Sequence, residues 1–563
     1  IEAWLDEWGS FRRDLGRKRE AGQNVELEIG EGIALLREIA RKAPGDAQNG
    51  LHSFLAGFES AGREQWINLL LSDAARQAVE DSGHRPFLSR FQREIPLDSD
   101  RAQAGFASWY EMFPRSATTD PTRHGTFDDA IEELPRIRSL GFDVLYFPPI
   151  HPIGRTRRKG RNNSLDAKAD DVGSPYAIGN ESGGHEAIHP HLGSFTEFRR
   201  LLNAAHAHGL EVALDYAIQC SLDHPWIREH PEWFRWRLDG SVRYAENPPK
   251  KYEDIVNVDF YAPKSVPDLW LALRDVMQFW VDEGVRIFRV DNPHTKPLPF
   301  WQWIIEDIRA RNPDVILLSE AFTQPKMMYQ LAKIGFTQSY TYFTWRNSKR
   351  EITDYLGELN ATPTCDFFRP NFFVNTPDIN PYYLQTAGRA GFLIRAALAA
   401  TLSGLWGMYS GFELCEAAPL PGREEYLDSE KYEIRVRDWN APGNISTEIA
   451  ALNRIRRANP ALQTHLGVQF YNAFNDQILL YGKMGPGRRA MVLVAVSFDP
   501  HSVQHAPIEI PLWEWGLPDD ASLMAEDLMR EHRFVWTGKS QNIRLDPGDL
   551  PFAIWRIAPP GVA

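Results

Sequence analysis

The feature that most constrains this chain is an alternation running from about Phe106 to Tyr409. Short apolar runs, each closed by polar residues or proline, are followed by segments with helical spacing. Eight runs read as strands: Phe106–Phe113, Phe142–Ile150, Glu211–Ile218, Val285–Asp291, Val315–Glu320, Gln338–Phe343, Asn371–Val374 and Leu405–Tyr409. Helix-like segments at Thr126–Leu140, Ser194–His208, Pro267–Glu283, Pro299–Arg311, Pro325–Ile334, Ser348–Leu359 and Thr386–Ser403 separate them, and an eighth is expected after Tyr409. Eight such units predict an α/β fold, a closed (β/α)₈ barrel whose active site lies at the C-terminal ends of the strands. Two connections, 151–193 and 219–266, are too long for turns, and long loops on that face carry function.

The flanks have a different texture. The chain has 563 residues, and at about 150 residues per domain the length suggests three to four domains. From about Ile29 to Glu94 apolar residues recur at three and four, as in Ile33, Leu36 and Ile39, which predicts a bundle of about four short helices, assigned to 29–104. The barrel takes 105–461. From 462 to 563 the pattern alternates, as in Met491–Val496, with Gly-Pro-Gly and Asp-Pro turns, which predicts an antiparallel β-sandwich.

Composition narrows the function. A net charge of −13 repels nucleic acid and anionic membrane, so any basic cluster needs a local reason. Three scattered cysteines make neither a disulfide framework nor a zinc site and point to a reducing compartment, the cytoplasm. The longest uncharged apolar stretch, Ala396–Phe412, falls short of the roughly 20 residues that span a bilayer. It reads as a buried helix followed by a strand. Ile1-Glu-Ala-Trp-Leu begins without a start methionine, and a fragment of a longer protein is expected.

Three carboxylates fall on the predicted active face. The fourth strand ends Arg286-Ile-Phe-Arg289-Val-Asp291-Asn292, the fifth ends Leu317-Leu-Ser-Glu320, and Phe373-Val-Asn-Thr-Pro-Asp378 follows the seventh. A strand-end carboxylate also serves as a helix cap. Two at adjacent tips, however, give the pair that glycoside cleavage needs, one ionised and one protonated. Arg289, two residues before Asp291, points to the same side of its strand and holds that carboxylate ionised.

Asp215 in Ala-Leu-Asp-Tyr, Phe288-Arg289-Val-Asp291, Ser-Glu320 and Phe-Val-Asn-Thr-Pro-Asp378 together resemble the four short regions of the α-amylase superfamily of retaining glycosidases and transglycosidases. By that resemblance Asp291 is the nucleophile, Glu320 the acid/base and Asp378 the carboxylate that steadies the reacting sugar. The departures are as informative. Where amylases place Asn-His after the first-region Asp, this chain has Gln219-Cys220, and Pro377 replaces the histidine before the last Asp. The usual sugar-binding histidines and the calcium-binding Asn are missing, and no cofactor or metal is called for. These departures are similar to the bacterial maltosyltransferases that use α-maltose 1-phosphate to extend α-1,4-glucans. So are Trp109-Tyr-Glu-Met-Phe-Pro, His151-Pro-Ile-Gly, Arg158-Lys-Gly-Arg-Asn-Asn, Gly184-His-Glu-Ala-Ile-His-Pro, Gln219-Cys-Ser-Leu-Asp-His-Pro-Trp and Ala245-Glu-Asn-Pro-Pro-Lys-Lys-Tyr252.

Arg155, Arg157, Arg158, Lys159 and Arg161 crowd one loop of an acidic protein, as a phosphate-bearing donor would require. For most of the five a solvated loop is the plainer reading, and Lys159, beside Gly160, is the one singled out. The resemblance implies that Lys159, Asn247, Tyr252 and Asn292 hold the donor phosphate, with Gln219 near the reacting sugar. Trp226 and Trp233 are candidate sugar platforms. His185 and His189 read as ligands, sugar contacts or polar loop residues, too isolated to suggest a metal site. The expected partners are α-maltose 1-phosphate and an α-glucan acceptor. The nearest rival is an α-glucan hydrolase; a catalytically silent glucan-binding barrel is a rival of another class. The resemblance also implies that residues 1–28 are the remnant of an N-terminal β-domain, and it implies a homodimer.

Overall fold

The computed structural model describes residues 1–95, 97–247 and 250–561, without the side chains of Glu64, Asn247 and Lys250. It divides into two units, Ile1–Ser99 and Asp100–Ala563.

The first unit is helical. Five helices, α1 (Glu7–Glu20), α2 (Glu26–Lys42), α3 (Gly45–Ser60), α4 (Arg63–Leu71) and α5 (Asp73–Asp81), bury Trp8, Leu15, Leu36, Ile39, Leu51, Phe58 and Leu70 among themselves. The stretch 1–28, expected as the remnant of a β-domain, is mostly helical. Its only strand is Glu2–Ala3, paired with Ser89–Arg90, whereas α1 packs Trp8 and Leu15 into the helical core. The bundle accordingly starts earlier than residue 29 and its helices end at Asp81.

In the second unit all eight expected strands form: β1 (Ala107–Glu111), β2 (Val144–Phe147), β3 (Glu211–Tyr216), β4 (Ile287–Val290), β5 (Ile316–Ser319), β6 (Gln338–Tyr340), β7 (Pro370–Phe373) and β8 (Leu405–Tyr409). They pair in parallel in chain order, and β8 closes on β1, giving a TIM barrel. The intervening helices are α6 (Phe127–Ser139), α7 (Phe195–Ala207), α8 (Trp270–Asp282), α9 (Leu298–Arg311), α10 (Pro325–Lys333), α11 (Lys349–Asn360) and α12 (Tyr382–Leu402), and α13 (Ser446–Ala458) completes the ring. Capping boxes at Thr126, Ser194 and Ser348 fix where three of them begin.

Alternation along the strands sorts the side chains. Trp109, Val144, Tyr146, Ala213, Ile287, Leu318, Tyr340 and Phe373 fill the barrel interior, while Tyr110, Leu145, Leu214 and Phe288 face the helices. The long third loop carries its own small sheet, in which Gln219–Cys220 and Tyr244–Asn247 flank Lys250–Asn257. The C-terminal strands, Val468–Tyr471 through Phe552–Ala558, form a six-stranded antiparallel sheet and a two-stranded one. The six-stranded sheet packs Leu479, Tyr481 and Val494 into the same apolar cluster as α12.

Candidate active site

On β4 the inward positions run Ile287, Arg289, Asp291, so the apolar floor gives way to a cation and then a carboxylate at the strand tip. Backbone bonds lock the neighbouring tips: the Asp291 N–H donates to the Tyr216 carbonyl (3.1 Å) and the Glu320 N–H to the Val290 carbonyl (3.0 Å). The Arg289 guanidinium reaches three carboxylates. Its Nη1 donates to Asp215 Oδ2 at 2.9 Å and to Asp291 Oδ1 at 2.8 Å, and its Nη2 pairs with Glu320 Oε1 at 2.7 Å. Tyr146 and Tyr176 also donate to Asp215, at 2.7 and 2.9 Å. All of these groups are buried.

Burial alone would raise both acids of the pair, and the neighbours split them. For Asp291 the charges of Arg289 and Lys296 and a hydrogen bond shared with Glu320 outweigh burial, holding it well below the usual carboxylate range. For Glu320 burial dominates, the charges of Asp291, Asp378 and Asp215 add to it, and Arg289 opposes without prevailing, so its affinity for a proton rises. One carboxylate is therefore ionised and its neighbour carries a proton at neutral pH, the division that a retaining glycosyl-transfer pair requires. Lys296 adds to it, donating to the Asp291 and Asn292 carbonyls at 3.1 Å each.

Of the other expected residues, Asn292 and Asp378 border this pair, and the rest belong to the long loops. Asp378 lies half exposed above it, its Oδ1 2.7 Å from Lys431 Nζ. Asn292 is exposed and held in the left-handed region (φ 43°), a conformation Asn tolerates. Its side-chain amide lies 3.4 Å from Asp291 Oδ2, and its N–H 3.4 Å from Glu320 Oε2. Gln219 is buried in the third-loop sheet opposite Asn257. Tyr252 and Asp254, two apart on Lys250–Asn257, share a face, and buried Lys159 with Lys431 acts on Asp254. The side chain of Asn247 lies outside the described residues.

The arginines of the loop resolve as solvated or internally paired. Arg155 meets Glu181 at 2.8 Å and Arg157 meets Glu253 at 3.2 Å, while Arg158 donates to the carbonyls of Ile153, Gly154 and Asp171. The platform reading of the tryptophans is corrected. Trp233 is 3% exposed with His230 stacked on it at 3.8 Å, and Trp226 is wedged between His185 and Trp233.

Comparison with known proteins decides between the rivals. A family model for the α-amylase catalytic domain matches residues 111–331. Models described as α-1,4-glucan:maltose-1-phosphate maltosyltransferase, domain N/S, and GLGE, C-terminal, match 1–101 and 470–557. A protein of Pseudomonas aeruginosa named α-1,4-glucan:maltose-1-phosphate maltosyltransferase is 62% identical over 99% of this chain and 84% of its own length. The chain belongs to the α-1,4-glucan:maltose-1-phosphate maltosyltransferase family. A second member, from Cereibacter sphaeroides, is 54% identical over 100% of this chain and 84% of its own. In a third, from Burkholderia pseudomallei, 58% identical over 99% of this chain, the match spans half of the relative. Among solved structures, a maltogenic α-amylase from Thermotoga neapolitana superposes with a TM-score of 0.62 at 19% identity, covering 81% of this chain and all of that one. That likeness speaks to the fold alone.

Several functional neighbours in this member of the maltosyltransferase family had no sequence signal. Lys296, Tyr176, Tyr146, Asp254 and Lys431 reach the site only through the fold. The isolation expected of His185 and His189 is also corrected. His185 lies with His224 and Cys220, and His189 with His124 and His191. In the first cluster the Trp226 N–H donates to His224 Nδ1 (3.1 Å), so Nε2 carries the hydrogen and donates to His185 Nδ1 (3.0 Å). His185 Nε2 in turn donates to the Ala217 carbonyl (3.0 Å), so both rings are satisfied as a neutral relay. In the second, His124 Nδ1 donates to Gly125, and His189 Nδ1 accepts the His191 N–H. There burial first, and then the charges of His124, His191, Arg115 and Arg158, keep His189 neutral.

Proposed function

We propose that this chain transfers maltosyl units from α-maltose 1-phosphate to the non-reducing end of α-1,4-glucans with retention of configuration, releasing inorganic phosphate. The observation that carries the chemistry is the single guanidinium of Arg289 bridging an ionised Asp291 and a protonated Glu320. In the first step Asp291 attacks the anomeric carbon, the carbon–oxygen bond to phosphate breaks, and Glu320 gives its proton to the departing phosphate. A β-maltosyl ester of Asp291 results. In the second step Glu320 takes the proton from the 4-hydroxyl of the acceptor as that oxygen displaces Asp291.

Asp378, held by Lys431, faces the sugar hydroxyls, with Gln219 near the reacting ring. Lys159, Asn247, Tyr252 and Asn292 take the donor phosphate. Lys159 sits beside Asp254 on the face that Tyr252 shares, and the exposed Asn292 amide stands next to the nucleophile, which supports that grouping. A hydrolase would share every carboxylate, and no observation favours it here. Asp291→Ala should abolish phosphate release, and full retention would contradict the mechanism.

A homodimer is part of this reading. Trp4, Leu5, Leu27, Phe87 and Phe91 are exposed apolar side chains of the helical unit, which supports association, and light scattering of the purified chain reads the mass. No helix among the described residues is long and apolar enough to cross a membrane. Cytoplasmic placement rests on the three free cysteines.

A further inference from the structure

The barrel tips carry a buried cation that this mechanism does not use. Arg115 stands in the turn Pro114–Ser116, just beyond the end of β1 at Glu111, and is 4% exposed. Burial pulls its pKa down to about 10, with Glu430 and Tyr409 opposing, so it is still a cation at neutral pH. No carboxylate pairs with it among the described residues. Its terminal nitrogens go to two carbonyls instead. Nη1 donates to Gly173 at 2.9 Å and Nη2 to Glu430 at 2.7 Å, while Nε is buried without a partner. A buried guanidinium met by two carbonyls is costly to keep, and an apolar side chain would serve packing alone. The segments those carbonyls belong to supply the reason.

In the barrel β1 lies between β8 and β2, so a residue at its tip reaches the loops on both sides. Gly173 belongs to the loop after β2. It sits in the left-handed region (φ 74°), where a Cβ would also press on Arg158, and it leads into the turn over 174–177 that presents Tyr176. The Tyr176 hydroxyl donates to Asp215, and its ring centroid lies 4.8 Å from Lys431 Nζ. Glu430, in the stretch beyond β8, immediately precedes Lys431, the partner of Asp378. The Glu430 carboxylate is held on the β8 side, by the Tyr409 hydroxyl at 2.5 Å and Arg437 Nη1 at 2.9 Å. An exposed pair, Asn162 and Asp428, joins the same two loops at the surface, where water competes for both groups. Arg115 joins them in the interior. We propose that Arg115 is a positioning residue, a strut whose two nitrogens set the spacing between the Tyr176 turn and Lys431, and through Lys431 the place of Asp378 at the reacting sugar.

The inference rests on the proposed transfer chemistry, and a double-mutant cycle separates the two. Arg115→Met removes both donors, and Arg115→Lys keeps the charge but offers one nitrogen where the strut needs two. Each should lower kcat/KM for α-maltose 1-phosphate about tenfold in the parent chain. In a Lys431→Met chain the same changes should cost about threefold or less, because the group they position is gone. Arg115→Lys carries the cycle if Arg115→Met does not fold, and thermal melting of each variant reads stability apart from activity. A lowered melting temperature with kcat/KM at the parent value would make Arg115 a support of the fold alone and overturn the proposal. Losses that multiply in full with that of Lys431→Met would overturn it too. If the parent chain released no phosphate, the transfer reading would fail. The cycle would then be read on shortening of maltooligosaccharide, where Lys431 holds the same Asp378.

Discussion

Arg289 donates to Asp291 and pairs with Glu320 at nearly equal lengths, yet the two acids answer in opposite directions because their other neighbours differ. Lys296 adds a second cation beside Asp291, whereas Glu320 faces three further carboxylates. The activity should therefore trace a bell against pH. Its acid limb belongs to Asp291, below the usual carboxylate range, and its alkaline limb to Glu320, pushed up to about 8 by burial first and then by those carboxylates. Arg289 lowers both groups, so Arg289→Lys, which keeps a charge but loses the fork, should move both limbs upward and cost about 10²-fold in kcat. Unmoved limbs in that pH–rate profile would show that the guanidinium does not set them. At Asn292, Glycine keeps the left-handed backbone while removing the amide. Asn292→Gly should raise KM for the donor about tenfold, as loss of a hydrogen bond to a charged group does, and initial-rate kinetics reads it.

Elements explain why some of this was legible in the sequence. A strand that ends in a carboxylate at the mouth of a barrel announces itself, as Asp291 and Glu320 do; Arg289 follows from its place two before Asp291, Asp378 from its place after the seventh strand, and their roles from the amylase resemblance. Six of the eight strands run two to five residues shorter than their apolar patterns, in part because the last positions leave the ladder to line the site, as Asp291 and Glu320 do. Lys431 gave no such signal. It lies in the irregular stretch beyond β8, and only the fold carries it to 2.7 Å from Asp378. Lys431→Met should release that half-exposed carboxylate and lower kcat/KM by about tenfold or more with the global fold intact, measured by initial rates alongside circular dichroism. The tryptophans of the third loop misled for the opposite reason: a loop with its own sheet has its own core, and Trp233 fills it. In α1, Trp8, Phe11 and Leu15 recur at three and four, a helical signal masked by the surrounding charges.

In the second unit, the barrel and the six-stranded C-terminal sheet share one apolar cluster, tied by the 2.6 Å bond between Thr401 and Tyr481. Lys483, buried at this junction, donates to the carbonyls of Leu402 and Thr464. Burial, with the Arg456 charge adding to it, lowers its pKa to about 7. The folded chain thus binds this proton less readily than the unfolded one. The contribution of Lys483 to stability is fully present above the ordinary lysine value and is lost as pH falls toward about 7, with a slope approaching 1.4 kcal/mol per pH unit. The stability of the parent relative to Lys483→Met should therefore rise between pH 7 and 10, as denaturant titrations at several pH values would record.

The most direct test of the whole account is phosphate release from α-maltose 1-phosphate with and without a maltooligosaccharide, with the products weighed by mass spectrometry. Acceptor-dependent release, with products longer by two glucose units, is the predicted result. Shortened maltooligosaccharide with no phosphate released would contradict it, leaving the carboxylates in their roles but making water the acceptor.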